Sequence, residues 1–442
     1  MNEPGTPPWR DREAGRLITF GRAAALPQGG FGWLGIDGAV DATKPCPLYL
    51  NARMTYVFTL AHLAGVAGAG PLATAGIAAF DRYADAANGG WLASIAPGGQ
   101  VLDTTKANYD HAAALLAASS AAAAGIAGAD AVLAVTTDAI EQHFWSAAEG
   151  CARESWDAGF TESEPYRGAN SNMHSVEAYL AAADVTGDLS WRDRAVAIAT
   201  RLIGDYARAN AWRVPEHYNA QWQPQPDYHS DRRTDQFRPY GTTPGHSFEW
   251  ARLLLALEAA LGHPPEGQAA LGQPEPGEAV PGQAPEGQAE PGQAARAAPP
   301  AWLAEAAVAL FDTAVADAWH RDGHPGLIYT VGAGGQPVVP VRLHWVACEA
   351  VLAADALHRR TGDGRFADLA ARWWEEIDRY FIDREHGGWW QELTPDMTPG
   401  SATVSGKPDL YHAYQALLFP SLPLSPVAAV ALSGRGHRGS RP

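Results

Sequence analysis

"YGTTPGHSFEW", residues 240–250, decides how the chain folds. Pro244 and Gly245 break the preceding backbone, and the apolar run "ARLLLAL" that follows predicts a helix opening at the break. His246 and Glu249 stand three residues apart at the start of that helix, so they share one face. Two titratable groups at the head of an apolar helix need a polar partner or a shared pocket, and the rest of the chain repeats the arrangement.

A histidine opens an Ala/Leu-rich stretch at "NYDHAAALLAA" (His111), "SNMHSVEAYLAA" (His174), "RLHWVACEAVLAA" (His344) and "LYHAYQALL" (His412), as His246 does. "NARMTYVFTLAHLA" is a sixth member, with Arg53 in the place of the histidine. The intervals are about 58, 63, 72, 98 and 68 residues, longer than the periods of the common solenoids. The long interval contains residues 263–300, built of degenerate Pro-x-Gly-Gln-Ala units that cannot bury a core and read as a disordered insertion. Without it that interval falls to roughly 60, in line with the others.

A second marker precedes the first. An amphipathic helix runs into a Gly-Gly-aromatic turn in "AAFDRYADAANGGWLASI" and "IDRYFIDREHGGWWQEL", with looser versions at "FWSAAEGCARESWDAGFTESE" and "FDTAVADAWHRDGHPGLIYTV". The glycines allow positive φ in a tight turn, and the alternating residues behind them suit a small hairpin. Six units of outer helix, turn, hairpin and inner helix predict an all-α (α/α)6 barrel with short β-hairpins at the pocket mouth. Inner helices are Ala/Leu-rich because they pack on all sides, and outer helices such as "ARWWEEIDRYF" carry the charge. The expected organisation is one catalytic domain over residues 1–425, interrupted by the insertion at 263–300, with a flexible tail at 426–442.

Composition narrows the partners. Hydrophobic residues make up 46% of the 442 and charged residues 18%, enough for a large core. The formal charge of −17 argues against nucleic acid and anionic membrane, both of which need a basic surface. Cys46, Cys151 and Cys348 are few and widely spaced, with no C-x-x-C pair. The N-terminus lacks the basic and apolar regions of a secretory signal, and no apolar run spans a bilayer, so a cytoplasmic protein is expected. Oligomeric state is not legible.

Each histidine has a plain reading as a packing or capping residue, and His111 and His344 fit it. His246 with Glu249 and His174 with Glu177 keep the i, i+3 spacing, and His412 has Lys407 and Asp409 nearby. A helix N-terminus disfavours imidazolium and a carboxylate favours it, and a histidine held between them moves protons near neutrality. H-x-x-E occurs at di-metal sites in bundles, but there it needs further carboxylates, and this chain offers arginine, asparagine and tryptophan; no metal and no cofactor are expected. A glycosidase would need an acid pair, for which Asp103 and Asp110 are the candidates.

"GANSNMHSVEAYLAAADVTGD", "FRPYGTTPGHSFEWARLLL", "HWVACEA", "GGWWQEL" and "GKPDLYHAYQALL" together resemble the N-acylglucosamine 2-epimerase superfamily, within it the aldose–ketose isomerase branch, from about residue 9 to 420. That resemblance implies the (α/α)6 barrel and a small-molecule sugar substrate. It places the acid/base histidine on His412, a second histidine with its carboxylate partner on His246 and Glu249, and a third on His174. It places substrate-binding residues on Arg53, Arg238 and Gln391. Asn172, Tyr109, Trp345 and Trp389 are added as candidates for holding or stacking on the sugar; tryptophans in a "GGWW" turn also read as core, and Arg238 also reads as an ion pair with Asp235 or a neighbour. The implied reaction moves a proton from C2 to C1 of mannose, and of lyxose, through a cis-enediolate. His412 is the expected base, His246 and Glu249 shuttle the oxygen-bound proton, and His174 and Arg53 stabilise oxygen charge. Isomerisation of sulfoquinovose, 2-epimerisation and, more distantly, glycoside hydrolysis are the alternatives.

Overall fold

The computed structural model describes residues 3–262 and 299–438. The inner helices are α2 (Leu48–Leu63), α4 (Asn108–Ala123), α6 (Ala169–Thr186), α8 (Pro244–Gly262), α10 (His344–Thr361) and α12 (Tyr411–Leu418). Each packs against the next and α12 closes on α2, so the six form a ring. Outside them lie α1 (Pro7–Gly21), α3 (Ala69–Ala78), α5 (Ala129–Ala139), α7 (Ser190–Ala199), α9 (Trp302–Ala318) and α11 (Gly364–Glu376), each chiefly against one inner helix, α1 serving α12. The expected all-α (α/α)6 barrel is the observed fold. Alanine makes the inner ring possible: Ala112, Ala114, Ala117, Ala118 and Ala121 of α4 are all buried, and small side chains let neighbouring backbones approach.

The turns carry a device absent from the sequence reading. Asp85 caps the first Gly-Gly turn by accepting from the backbone N–H groups of Ala87 and Asn88, and Gly89 and Gly90 take φ of 78° and 64°. Lys106, ahead of α4, then pins the turn by donating to Asp85 and to the Gly89 carbonyl. Asp383, Gly387, Gly388 and Lys407 repeat this ahead of α12. Arg342 does the same work ahead of α10, with a two-pronged bond to Asp322 at 2.6 Å. A buried cation thus ties each of these turns to the start of an inner helix, which is where the functional side chains sit.

Short hairpins form as expected, Ser94–Ile95 with Val101–Asp103 and Thr330–Val331 with Pro337–Val339, and a second kind of pairing accompanies them. The residues just before an inner helix pair with the segment that follows the next outer helix: Cys46 with Ile95, Lys106 with Trp156, Arg167 with Tyr218, and Arg342 with Leu393. These longer-range pairings tie one repeat to the next. Part of the tail expected to be flexible is helical, and residues 439–442 lie outside the described residues. Helix α13 (Ala428–Arg438) packs on α2 and α4, with Ala428, Ala429 and Leu432 buried and Val427 N–H donating to Asp184 at 2.8 Å. "VAAVAL" supplies a helical apolar stripe that the composition-based reading passed over. The Pro/Gly/Gln-rich insertion, apart from Pro299 and Pro300, lies outside the described residues. No described helix is long and apolar enough to cross a membrane.

Candidate active site

The heads of the inner helices surround a concave pocket lined by polar and aromatic side chains, as small-molecule sites usually are. Its wall includes Arg53 from α2, Tyr109 from α4, His174 from α6, His246 and Glu249 from α8, His344 and Trp345 from α10, and His412 from α12, with Gln391 and Asp409 from the loops. All six repeat markers except His111 therefore meet in one cavity.

Gly245 explains the Pro-Gly-His string. A side chain there would drive its Cβ to 2.5 Å from the Trp345 ring, so glycine lets the indole lie against α8. Trp345 then faces two imidazoles, its ring 5.2 Å from that of His246 and 5.7 Å from that of His412. The His174 ring lies 6.4 Å from His412 and 4.9 Å from Tyr109. Arg53 donates to Asp409 at 3.3 Å and to the Tyr109 hydroxyl at 2.5 Å, and stacks over Tyr411.

The orienting acids differ from the sequence expectation. His246 Nδ1 lies 2.9 Å from Glu216, not on Glu249, and Glu216 also accepts the Thr243 N–H at 3.1 Å. His412 Nδ1 lies 2.9 Å from Glu349. Glu249 turns instead toward His174 and Arg252, each at 3.7 Å, and neither carboxyl oxygen has a hydrogen-bond partner. Glu177, three residues after His174, spends its hydrogen bonds elsewhere, accepting from Arg252 at 3.3 Å, Gln415 at 3.0 Å and the Tyr411 hydroxyl.

Burial sets the protonation of this cluster. It pushes His412 and His174 well below the ordinary imidazole range, with the charge of Arg53 adding to the effect. It pushes Glu249 well above the ordinary carboxylate range, reinforced by the neighbouring Glu349, and it raises Glu349 as well. Asp409 goes the other way: burial would raise it, but the charge of Arg53 and the backbone N–H of Tyr411 outweigh that and hold it low. Burial thus favours the neutral form of His174 and His412 and the protonated form of Glu249, groups placed to exchange protons.

Two triads could hold a cation geometrically, His174 with Glu177 and Glu249, and Glu249 with Glu349 and His412. The Arg252 guanidinium already stands among these acids, 3.0 Å from Glu349 and 3.3 Å from Glu177. A fixed positive charge there opposes a divalent ion.

Several predicted residues lie elsewhere. Asn172 is fully buried outside the pocket, bonded to both the N–H and the carbonyl of Ala152 and to the Gly168 carbonyl. Asn170, two residues earlier and on another face of α6, lines the pocket instead. Trp389 is core, its indole N–H donating to Glu13 at 3.0 Å. Arg238 is outside the lining and forms a two-pronged ion pair with Glu164 at 2.6 and 2.9 Å; its neighbours Gln236 and Phe237 reach the pocket. Asp103 is exposed on an edge strand, and Asp110 is buried beneath Tyr49 N–H, so the candidate acid pair does not form. Glu216, Glu349 and Arg252 were missed, although a charged residue inside a run such as "HWVACEAVLAA" is itself a sign of a buried polar network.

The N-acylglucosamine 2-epimerase family model matches residues 29–271 and 289–416. The chain belongs to that family. It is 43% identical over 430 residues to a D-mannose isomerase of Thermobifida fusca, covering 97% of each chain. It is 43% identical over 436 residues to a D-mannose isomerase of Pseudomonas cannabina pv. alisalensis, covering 98% of this chain and 97% of that one. A crystal structure of D-mannose isomerase superposes with a TM-score of 0.81 at 27% identity, covering 95% of this chain and 99% of the other. The expectation of a sugar-isomerising enzyme on this ring fold is borne out by these matches.

Proposed function

We propose that the protein is a metal-independent aldose–ketose isomerase that interconverts D-mannose, and D-lyxose, with the matching 2-ketose through a cis-enediolate. The observation that carries this reading is the meeting of His174, His246 and His412 on one pocket, two of them with Nδ1 held by a buried carboxylate. With Nδ1 engaged, Nε2 is the nitrogen left to face the sugar. In the opened aldose, His412 takes the C2 proton while the C1 oxygen gains a proton from His246 or Glu249, giving the enediol. The O2 proton then returns to that acid as His412 delivers its proton to C1, and the ketone forms at C2. Arg53 and His174 stabilise the oxygen charge that develops between.

The lining favours an uncharged sugar. Arg53 is the cation among the described lining residues, and Asp409 already pairs with it, which leaves no free positive charge for a sulfonate or phosphate. Pro408, which brings no side-chain donor, is part of the same wall. The Arg252 guanidinium among the acids supports a reaction without a metal. The test is to incubate purified protein with mannose and EDTA and follow products by proton NMR. Fructose is the expected product. Glucose would indicate 2-epimerisation, and activity lost to the chelator and restored by a divalent ion would overturn the metal-free mechanism.

A further inference from the structure

We propose that His344 determines sugar specificity: its Nε2 accepts a hydrogen bond from a sugar hydroxyl beyond C2. His344 opens α10 and lines the pocket beside Trp345, and is 3% exposed. Its Nε2 is buried with no hydrogen-bond partner. Its Nδ1 lies 3.4 Å from the carbonyl oxygen of Gln391, which also accepts the His344 backbone N–H at 3.0 Å. A carbonyl oxygen can only accept, so Nδ1 carries the proton and Nε2 is left as an acceptor. Burial pushes the imidazole down to about 4, which keeps it neutral at ordinary pH.

The same position in another repeat shows what a structural histidine looks like here. His111 also opens its inner helix, but its Nε2 accepts the Trp91 N–H at 3.2 Å and its Nδ1 faces the Ala107 carbonyl at 2.8 Å. Both nitrogens are satisfied inside the protein, and His111 is not part of the pocket wall. His344 keeps the anchored Nδ1 but leaves its buried Nε2 without a partner, in a residue that lines a polar cavity. A buried acceptor without a donor is costly, and a polyol brings donors.

This inference rests on the isomerase reading, which places C1 and C2 against His412, His246 and Glu249; the hydroxyl assigned to His344 is that of C3, C4 or C6. The experiment compares kcat/KM for mannose, 3-deoxy-, 4-deoxy- and 6-deoxy-mannose and lyxose, which lacks C6, in the unsubstituted protein, His344→Phe and His344→Gln. The unsubstituted protein should reject one of the deoxy sugars by about 10- to 100-fold, the effect of one buried hydrogen bond. His344→Phe should erase that one preference and leave the others intact, and His344→Gln, which keeps an acceptor, should restore part of it. A uniform loss across the panel, or none, with either variant folded by circular dichroism, overturns the inference alone. Failure of the unsubstituted protein to convert mannose or lyxose overturns the reading beneath it.

Discussion

Glu216 holds His246 from thirty residues upstream: its carboxylate lies 2.9 Å from the imidazole Nδ1, and its other oxygen takes the backbone N–H of Thr243. An acid so placed fixes the ring and its tautomer without touching the sugar. Glu216→Gln should therefore lower kcat by about 10- to 100-fold, the usual effect of losing such a partner, with little change in KM. Glu249→Gln, which alters a group in the pocket wall, should cut kcat/KM by about 10²- to 10⁴-fold. Steady-state kinetics on mannose decides between them. Full activity in Glu216→Gln would contradict the assigned role.

His412 must be neutral to take a proton. Burial and Arg53 lower its affinity for protons well below the ordinary value of 6.5, so its basic form persists as the solution is acidified through that value. The fall of kcat/KM on the acid side due to this group is expected below pH 6.5, checked by a pH–rate profile. A fall centred above 6.5 that moves on substitution of Glu349, the partner of His412, would contradict it.

Asn172 and Trp389 should behave as structural residues. Asn172→Ala removes three buried hydrogen bonds to the backbone and should cost about 1–3 kcal/mol of stability. KM for mannose should be unchanged in the folded fraction. Asn170→Ala, by contrast, removes a lining residue and should raise KM with little loss of stability. Chemical denaturation and kinetics on the same preparations separate the two. A raised KM in Asn172→Ala would return that residue to the binding set.

His111 is pushed down to about 4, chiefly by burial. The unfolded chain titrates near 6.5, so between these values unfolding takes up a proton and stability drops as pH falls. His111→Gln should be less stable at pH 7 by about 1–3 kcal/mol through loss of the Trp91 N–H bond. The gap between the two proteins should then narrow as the pH is lowered toward 4. Denaturation midpoints at several pH values check this, and a gap independent of pH would contradict it.

The ring was legible because each inner helix announces its start with a titratable residue and a glycine-rich break. Arg53, His174, His246, Glu249 and His412 follow from that pattern and do share the cavity. Glu216 was not legible, because it reaches His246 from the residue just ahead of a strand, His217–Asn219, that pairs across repeats. Asn172 misled because closeness in sequence to His174 is not closeness in space: on a helix, residues two apart face different sides. Trp389 and Trp390 are adjacent, and the turn sends Trp389 inward to Glu13 while Trp390 packs against Lys407. The cations that pin the turns, Lys106, Arg342 and Lys407, lie two to five residues ahead of the histidines, and lysine stands in for arginine among them, so they do not read as one motif.

The most direct test of the account is conversion of ordinary mannose in D2O with EDTA present, with the fructose analysed by NMR for deuterium at C1. Proton transfer by an imidazole predicts that part of the product carries one solvent deuterium at C1, and that His412→Asn forms fructose at least about 10³-fold more slowly. Fructose bearing only protium at C1 in every turnover, formed equally well by the His412→Asn protein, would contradict it.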